Sequence, residues 1–488
     1  MSGPLWTVDA MVAATRAERA GALPDAIGGI SIDSRSVAPG EAFFAIKGDI
    51  HDGHGFVGAA LENGAGLAVV AGDKLAGEGG GIRGGLPKDA PLLVVPDVLA
   101  GLSDLAAAAR SRSRAKIIAV TGSVGKTSTK DALRLALARD GEVHASVASF
   151  NNHWGVPLSL ARLPEQARYG IFEIGMNHAG EITPLTRLVR PDVAIITTIA
   201  PVHLEFFKSV DEIADAKAEI FLGLVAGGAA VINRDNPQYA RLKRSAAKAD
   251  VARVIGFGEH ARAEARLIRC ALQPEGSTVE ADIMGTRVAY KIGAPGKHLV
   301  LNSLAVLAAA QLAGADLALA ALALAEQRPA AGRGTRIALA VPGGGALLID
   351  ESYNANPVSM RAAFALLGQA PVGARGRRIA VLGDMLELGA AGAELHRELA
   401  GAIRDNGIDI VFCAGPLMEA LWQALPSERR GGYAKDAETL QAEVLAAVSG
   451  GDAVMVKGSF GSRMGSIVKG LVRRYPVPAA SDLAPAQG

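Results

Sequence analysis

The string Thr121-Gly122-Ser123-Val124-Gly125-Lys126-Thr127-Ser128 has the residues needed to hold a nucleotide's phosphates. An apolar run, residues 117–120, precedes it, and a helix-forming run, residues 127–139, follows. In that setting the glycines free the backbone to aim N–H groups at phosphate oxygens, and the helix N-terminus adds partial positive charge. Lys126 can reach the β- and γ-phosphates, and the Thr127 hydroxyl can ligate Mg²⁺. The loop is a variant, because Val120 stands where the common G-x-x-x-x-G-K-[ST] pattern has its first glycine. The alternative is an ordinary glycine turn, and a Gly-Lys-Thr string at a strand-to-helix junction weighs against it.

Phosphate chemistry needs further charged groups, and three residues qualify. Glu173 ends the apolar run 170–174, where a parallel strand would present it at the ligand-binding edge of a sheet. A solvated strand-end carboxylate is the competing reading. His203 follows the run 193–197 and would lie on the same edge, although a lone loop histidine is more often structural. Ile213, Lys217, Ile220, Phe221 and Leu224 recur at spacings of three and four, which puts Lys217 inside an apolar stripe. Burial would favour its neutral amine, which can take up CO₂ as a carbamate and so become an anionic metal ligand. Against this stands a lysine that snorkels from the stripe's edge to water.

These residues need a scaffold of alternating strands and helices, and the chain supplies three such units. The first has strand-like runs at 30–32, 41–46, 66–70 and 92–95, a glycine-rich loop at 76–91 and a helix at 100–110. A basic stretch, 110–116, reads as a linker. The second carries the phosphate loop and the runs 170–174, 193–197 and 229–232. The third begins near Gly332 with runs at 346–350, 378–382, 409–413 and 453–456. The alternation predicts parallel sheets covered on both faces. The run 304–325 contains Gln311, Gly314 and Asp316 and reads as two alanine-rich helices broken near Gly314 rather than a membrane span.

A length of 488 residues exceeds one ordinary core and fits two to four domains. Lys plus Arg number 50 and Asp plus Glu 49, so the net charge of +1 gives no reason to invoke nucleic acid or an anionic membrane. Cys270 and Cys413 are too few and too distant for a disulfide framework or metal knuckle, and both read as core thiols of a reducing compartment. The first 20 residues lack the apolar segment of a signal peptide. The Pro- and Ala-rich end, residues 476–488, reads as a flexible tail.

The phosphate loop is followed by Asn151-Asn152, Gly155-Val156-Pro157, Glu173-Ile174-Gly175, His203-Leu204-Glu205 and Ala216-Lys217-Ala218-Glu219-Ile220-Phe221. Together these strings resemble the Mur ligases, which build the peptide stem of peptidoglycan. The resemblance runs almost end to end. It includes Asp33-Ser34-Arg35, Lys47-Gly48, Asp52-Gly53-His54, Gly332-Arg333, Tyr353-Asn354-Ala355-Asn356-Pro357, Gly383-Asp384-Met385-Leu386-Glu387-Leu388-Gly389 and Lys457-Gly458-Ser459. The Tyr-Asn-Ala-Asn-Pro and Gly-Asp-Met strings resemble the member that adds D-Ala-D-Ala rather than its siblings. Departures occur at His153-Trp154, His298-Leu299 and Asp350-Glu351.

The resemblance implies an α/β chain of three domains. A small N-terminal α/β UDP-binding domain would span 1–110, a central P-loop ATPase parallel-sheet domain 111–328, and a C-terminal Rossmann-like domain 329–475. It implies that Ser34, Arg35, Lys47 and Asn152 bind the UDP-linked substrate. Asn302 would meet adenine, Arg333 the γ-phosphate, and Asn354 and Asn356 the closed ATP site. Thr127 and Glu173 would ligate one Mg²⁺, and His203 with carbamylated Lys217 a second. Lys126, His203, Lys217 and Arg333 would form the catalytic set. ATP would phosphorylate the carboxylate of UDP-N-acetylmuramoyl-tripeptide, and D-Ala-D-Ala would attack the acyl phosphate. A cytoplasmic monomer without nucleic acid or membrane insertion is expected. A sibling ligase adding a single amino acid, or a nucleotide-gated binding protein without ligation chemistry, are the alternatives.

Overall fold

The computed structural model describes residues 3–48, 50–75, 82–147, 149–202 and 204–477. Among these the central sheet runs in the order Thr286–Ile292, Gly276–Ile283, Ala265–Gln273, Arg253–Gly258, Ala229–Asn233, Val193–Ile196, Lys116–Thr121, Tyr169–Glu173, Val143–Ala145. Every pairing from Arg253–Gly258 to Val143–Ala145 is parallel. Ile117 and Ala119 enter one core while Ile118 and Val120 enter another, so both faces of the sheet are covered. A strand buried on both sides has no polar face, which is why these strands appear in the sequence as short unbroken apolar runs.

The far end of this sheet departs from the expected alternation. Ala265–Gln273, Gly276–Ile283 and Thr286–Ile292 form an antiparallel meander. Arg269, Glu280 and Lys291 lie on it, and such half-polar strands carry no apolar run to betray them. The alanine-rich run folds as the helices Lys297–Leu312 and Leu317–Ala323, with Gly314 at φ 82° between them. Among the described residues no helix is long and apolar enough to cross a membrane.

In the N-terminal sheet, Gly29–Ser31, Glu41–Phe44, Leu67–Ala71 and Leu92–Val95 pair in parallel, and Glu18–Ala20 joins the last of them antiparallel. Its covering helix is Val98–Arg112, so residues 110–112 of the expected linker are a helix turn and only Ser113, Arg114 and Ala115 separate it from the next strand. Arg110 Nε donates to Val189 O at 2.9 Å, Trp6 Nε1 donates to Ala161 O at 2.9 Å, and the Arg112 guanidinium lies 3.4 Å from the Trp6 ring centroid. Trp6, Ile30 and Leu102 share one core with Val156 and Phe172, which joins the first unit to the second. Of the expected loop at 76–91, residues 76–81 lie outside the described residues, and Ile82–Gly85 makes a 3₁₀ turn.

The third sheet runs Thr335–Val341, Gly344–Glu351, Ala453–Lys457, Arg378–Gly383, Ile410–Ala414, Arg430–Ala434. All its pairings are parallel except the first. Alternate residues again divide between two cores, Ile379 and Val381 against Ala380 and Leu382. Cys413 is buried there, and burial pushes its thiol up to about 12, whereas Cys270 is half-buried beside Lys297 Nζ at 3.6 Å and is not a core thiol. Residues 478–488, most of the expected tail, lie outside the described residues.

Candidate active site

The phosphate loop leaves the central strand Lys116–Thr121 and opens the helix Lys126–Leu137. Gly122 and Gly125 take φ of 146° and 88°, values that L side chains rarely adopt. A Cβ on Gly122 would meet Thr197 Oγ1 at 2.0 Å, and one on Gly125 would meet Asn302 Nδ2 at 2.6 Å. Asn302 therefore lies against the loop on its way into the helix, where a nucleotide base could be read. Thr197 Oγ1 donates to Val124 O at 2.6 Å and Ser123 Oγ to Ala200 O at 3.1 Å, which pins the loop to the neighbouring strand end. Lys126 Nζ donates to Gly122 O at 2.8 Å and Ser128 Oγ to Gly125 O at 3.1 Å. Loss of surrounding water lowers the Lys126 pKa, nearby Glu173 opposes that, and Arg333 adds to it.

Glu173 ends the adjacent strand with its side chain 1% exposed, so the solvated strand-end reading does not hold. Its Oε1 accepts from Asn151 Nδ2 at 2.7 Å, while Oε2 is buried with no hydrogen-bond partner. An unpaired buried carboxylate oxygen is costly and calls for a cation. Lys217 sits in the helix Val210–Ala218 at 1% exposure, so it does not snorkel to water. Burial drives its pKa well below the ordinary value, and Lys126 pushes it the same way. Lys126, Glu173, Lys217 and Arg333 thus converge on one electrostatic site. His203 lies outside the described residues.

Residues that received no role from the sequence close the far side. Ser149 Oγ is 3.5 Å from Thr127 Oγ1 and accepts from Tyr353 Oη at 3.0 Å and from Arg333 Nη2 at 3.4 Å. The Arg333 guanidinium stacks 4.1 Å from the Tyr353 ring centroid. Lys130, 2% exposed, donates to Ser146 O at 2.9 Å and so ties Ser146 to the phosphate-loop helix. Lys457 Nζ bridges Glu351 Oε2 at 3.1 Å and Asn354 O at 3.0 Å. His298 is exposed on the second unit, and the crowding of neighbouring atoms lowers its pKa, which Glu351 of the third unit opposes and Lys457 reinforces. The second and third units also meet where the Glu205 N–H donates to Glu387 O at 3.3 Å.

The remaining predicted residues divide. Asn354 Oδ1 accepts from the Ala355 N–H at 2.8 Å. Asn356 caps the helix Pro357–Gly368 in a reciprocal pair with Ser359, and Asn152 Oδ1 accepts from Gly155 N–H at 2.9 Å, so both oxygens are engaged locally. Ser34, Arg35 and Lys47 follow two neighbouring parallel strands of the first sheet and share its C-terminal edge. Arg35 and Lys47 are exposed there, and Arg35 holds the Asp33 carboxyl down at about 2.

Fold and site together define a nucleotide-dependent enzyme whose phosphate loop faces a second Rossmann-like unit. Three family models match in succession: "Mur ligase family, catalytic domain" at residues 26–109, "Mur ligase middle domain" at 120–310, and "Mur ligase, glutamate ligase domain" at 332–460. The chain belongs to the Mur ligase family, whose members are ATP-dependent ligases that form C–N bonds. It is 32% identical to the UDP-N-acetylmuramoyl-tripeptide–D-alanyl-D-alanine ligase of Rickettsia prowazekii (strain Madrid E), over 90% of this chain and 94% of that protein. It is 34% identical to the protein of the same name from Bacillus subtilis (strain 168), over 91% and 93%. A crystal structure of MurF from Acinetobacter baumannii superposes with a TM-score of 0.80 at 28% identity, covering 96% of this chain and 99% of that one.

Proposed function

We propose that this chain joins D-alanyl-D-alanine to the terminal carboxylate of UDP-N-acetylmuramoyl-tripeptide, using ATP and passing through an acyl phosphate. The end-to-end match to relatives of that name carries the reading. The convergence of Lys126, Glu173, Lys217 and Arg333 supports it. In this reading residues 1–110 hold the UDP-sugar, 111–328 hold ATP, and 329–475 close over both. We infer a cytoplasmic monomer.

A divalent cation fits the site. Glu173 Oε2 has no partner, and the Thr127 hydroxyl opens the phosphate-loop helix. Among the described residues no three His, Cys, Asp or Glu side chains converge, so phosphate and water oxygens would complete the shell, as Mg²⁺ prefers. We assign Thr127 and Glu173 to one ion, and His203 with a Lys217 carbamate to a second. When bound, Mg²⁺ supplies neutralising charge for the phosphoryl oxygens.

The chain's own residues do the rest. Lys126 and Arg333 meet the charge of the transferring phosphoryl group, a matter of positioning and electrostatics. Backbone N–H groups of the loop cradle the phosphates, and Asn302 lies against the loop to orient the nucleotide. Seating of the third unit excludes water that would hydrolyse the acyl phosphate.

The test is phosphate release from ATP with UDP-N-acetylmuramoyl-tripeptide, with and without D-Ala-D-Ala. Release that needs both, with a pentapeptide product, is expected. Release that instead follows a single amino acid would make this a sibling ligase. Release indifferent to both would overturn the ligase reading.

A further inference from the structure

Ser149 is the point where three parts of the molecule touch one hydroxyl. Thr127 comes from the phosphate-loop helix, Arg333 from the segment leading into the third unit, and Tyr353 from just beyond the strand Gly344–Glu351. A serine hydroxyl has two acceptor lone pairs and one proton. Tyr353 Oη donates to one lone pair at 3.0 Å, and Arg333 Nη2 approaches the other more loosely at 3.4 Å. With its acceptor positions approached by those donors, the Ser149 hydroxyl can turn its own proton toward Thr127 Oγ1, 3.5 Å away. Three residues before Ser149, the Ser146 carbonyl accepts from buried Lys130 of the phosphate-loop helix. On the other side Tyr353 N–H donates to Gly332 O at 3.1 Å, so Tyr353 and Arg333 move together.

We propose that Ser149 is a positioning residue that ties the seating of the third unit to the orientation of Thr127. When Tyr353 and Arg333 donate to Ser149, its own proton is directed toward Thr127; when the unit swings away, that proton is free to turn elsewhere. Phosphoryl transfer and the exclusion of water then occur in the same state. This rests on the ligase reading above and deepens it.

The test compares the parent with Ser149→Ala, Ser149→Thr and Tyr353→Phe. Two quantities are read: phosphate released per peptide bond formed, and amide hydrogen exchange at Arg333, Gly334 and Tyr353 in the ligand-free protein. Loss of one neutral hydrogen bond corresponds to about a 2- to 12-fold effect. Tyr353→Phe, which loses that one bond, should raise the phosphate-to-product ratio and speed exchange within that range, and Ser149→Ala, which also loses the Arg333 contact, by at least as much. Combining them should add little, because both cut one chain of bonds. Ser149→Thr should return both readouts toward the parent. Variants that couple one-to-one and exchange like the parent would overturn the proposal. Should Ser149→Ala fail to fold, Tyr353→Phe decides alone, since it keeps the ring against Arg333. A parent indifferent to D-Ala-D-Ala would sink the ligase reading, while the exchange data would still judge the Ser149 link by itself.

Discussion

Replacing Asn151 by Leu keeps the branched side-chain shape, at somewhat greater volume, and removes one hydrogen bond. That bond, 2.7 Å from Asn151 Nδ2 to Glu173 Oε1, is the one given to a carboxylate that is 1% exposed. The other oxygen has no partner, so the variant leaves the whole group unpaired in a dry place. Hydrogen bonds to charged groups contribute about 1.5–3 kcal/mol. For a unit of this size that is a fall of roughly 3 to 12 °C in melting temperature without metal. If Glu173 ligates a cation, Asn151 also orients a ligand, and removing such a partner weakens metal binding by about 10- to 100-fold. The assay is the half-saturating Mg²⁺ concentration for phosphate release, beside a thermal melt in chelator. A lowered melting temperature with unchanged Mg²⁺ dependence would refute the metal role and leave Asn151 a stability residue. No change in either would refute the whole argument from the unpaired oxygen.

Three more outcomes are expected. Lys217→Ala should abolish ligation, and added short carboxylic acids should restore part of it by standing in for the carbamate; parent-like activity would end that assignment. Gly122→Ala should lose nucleotide binding, measured by calorimetric titration with ADP, because its Cβ would meet Thr197 Oγ1 at 2.0 Å and φ is 146°. His396 is fully buried, with Nε2 accepting from Met385 N–H at 2.9 Å and Nδ1 donating to Gly392 O at 2.6 Å, so it is neutral when folded. Burial lowers its pKa from the ordinary 6.5, hence the unfolded chain takes up the proton first. The stability it confers is complete above about 6.5 and is lost as pH falls below that value. The urea midpoint should drop between pH 7 and 5 more in the parent than in His396→Gln, and equal slopes would contradict this.

The parts legible in the sequence share one physical trait. Residues 117–120 and 379–382 are buried on both faces, so burial itself writes an unbroken apolar run. Lys217 stood out because a lysine breaks an apolar period. The meander Ala265–Ile292 was missed because its strands alternate with charged residues facing water. Ser149, Asn151 and Lys457 were unassigned for another reason. Their partners lie on other elements, 22 residues away for the Asn151–Glu173 pair and 204 for Ser149–Tyr353, and neither local period nor spacing encodes such a meeting. Asn356 had the reverse problem, since its motif was recognised while its local use as a helix cap was not.

The core running from Trp6 through Phe172 to Ala246 has a mechanical consequence. The first two units share their apolar interior, whereas the third keeps its interior to itself and meets them through polar bonds and small loops. Sliding the first two apart would expose apolar surface at every step, while parting the third exchanges protein hydrogen bonds for water. The molecule is therefore built as an anvil and a hammer. Slow steps of a catalytic cycle should be sought in the travel of residues 335–475, and heating should release that part as a separate calorimetric peak.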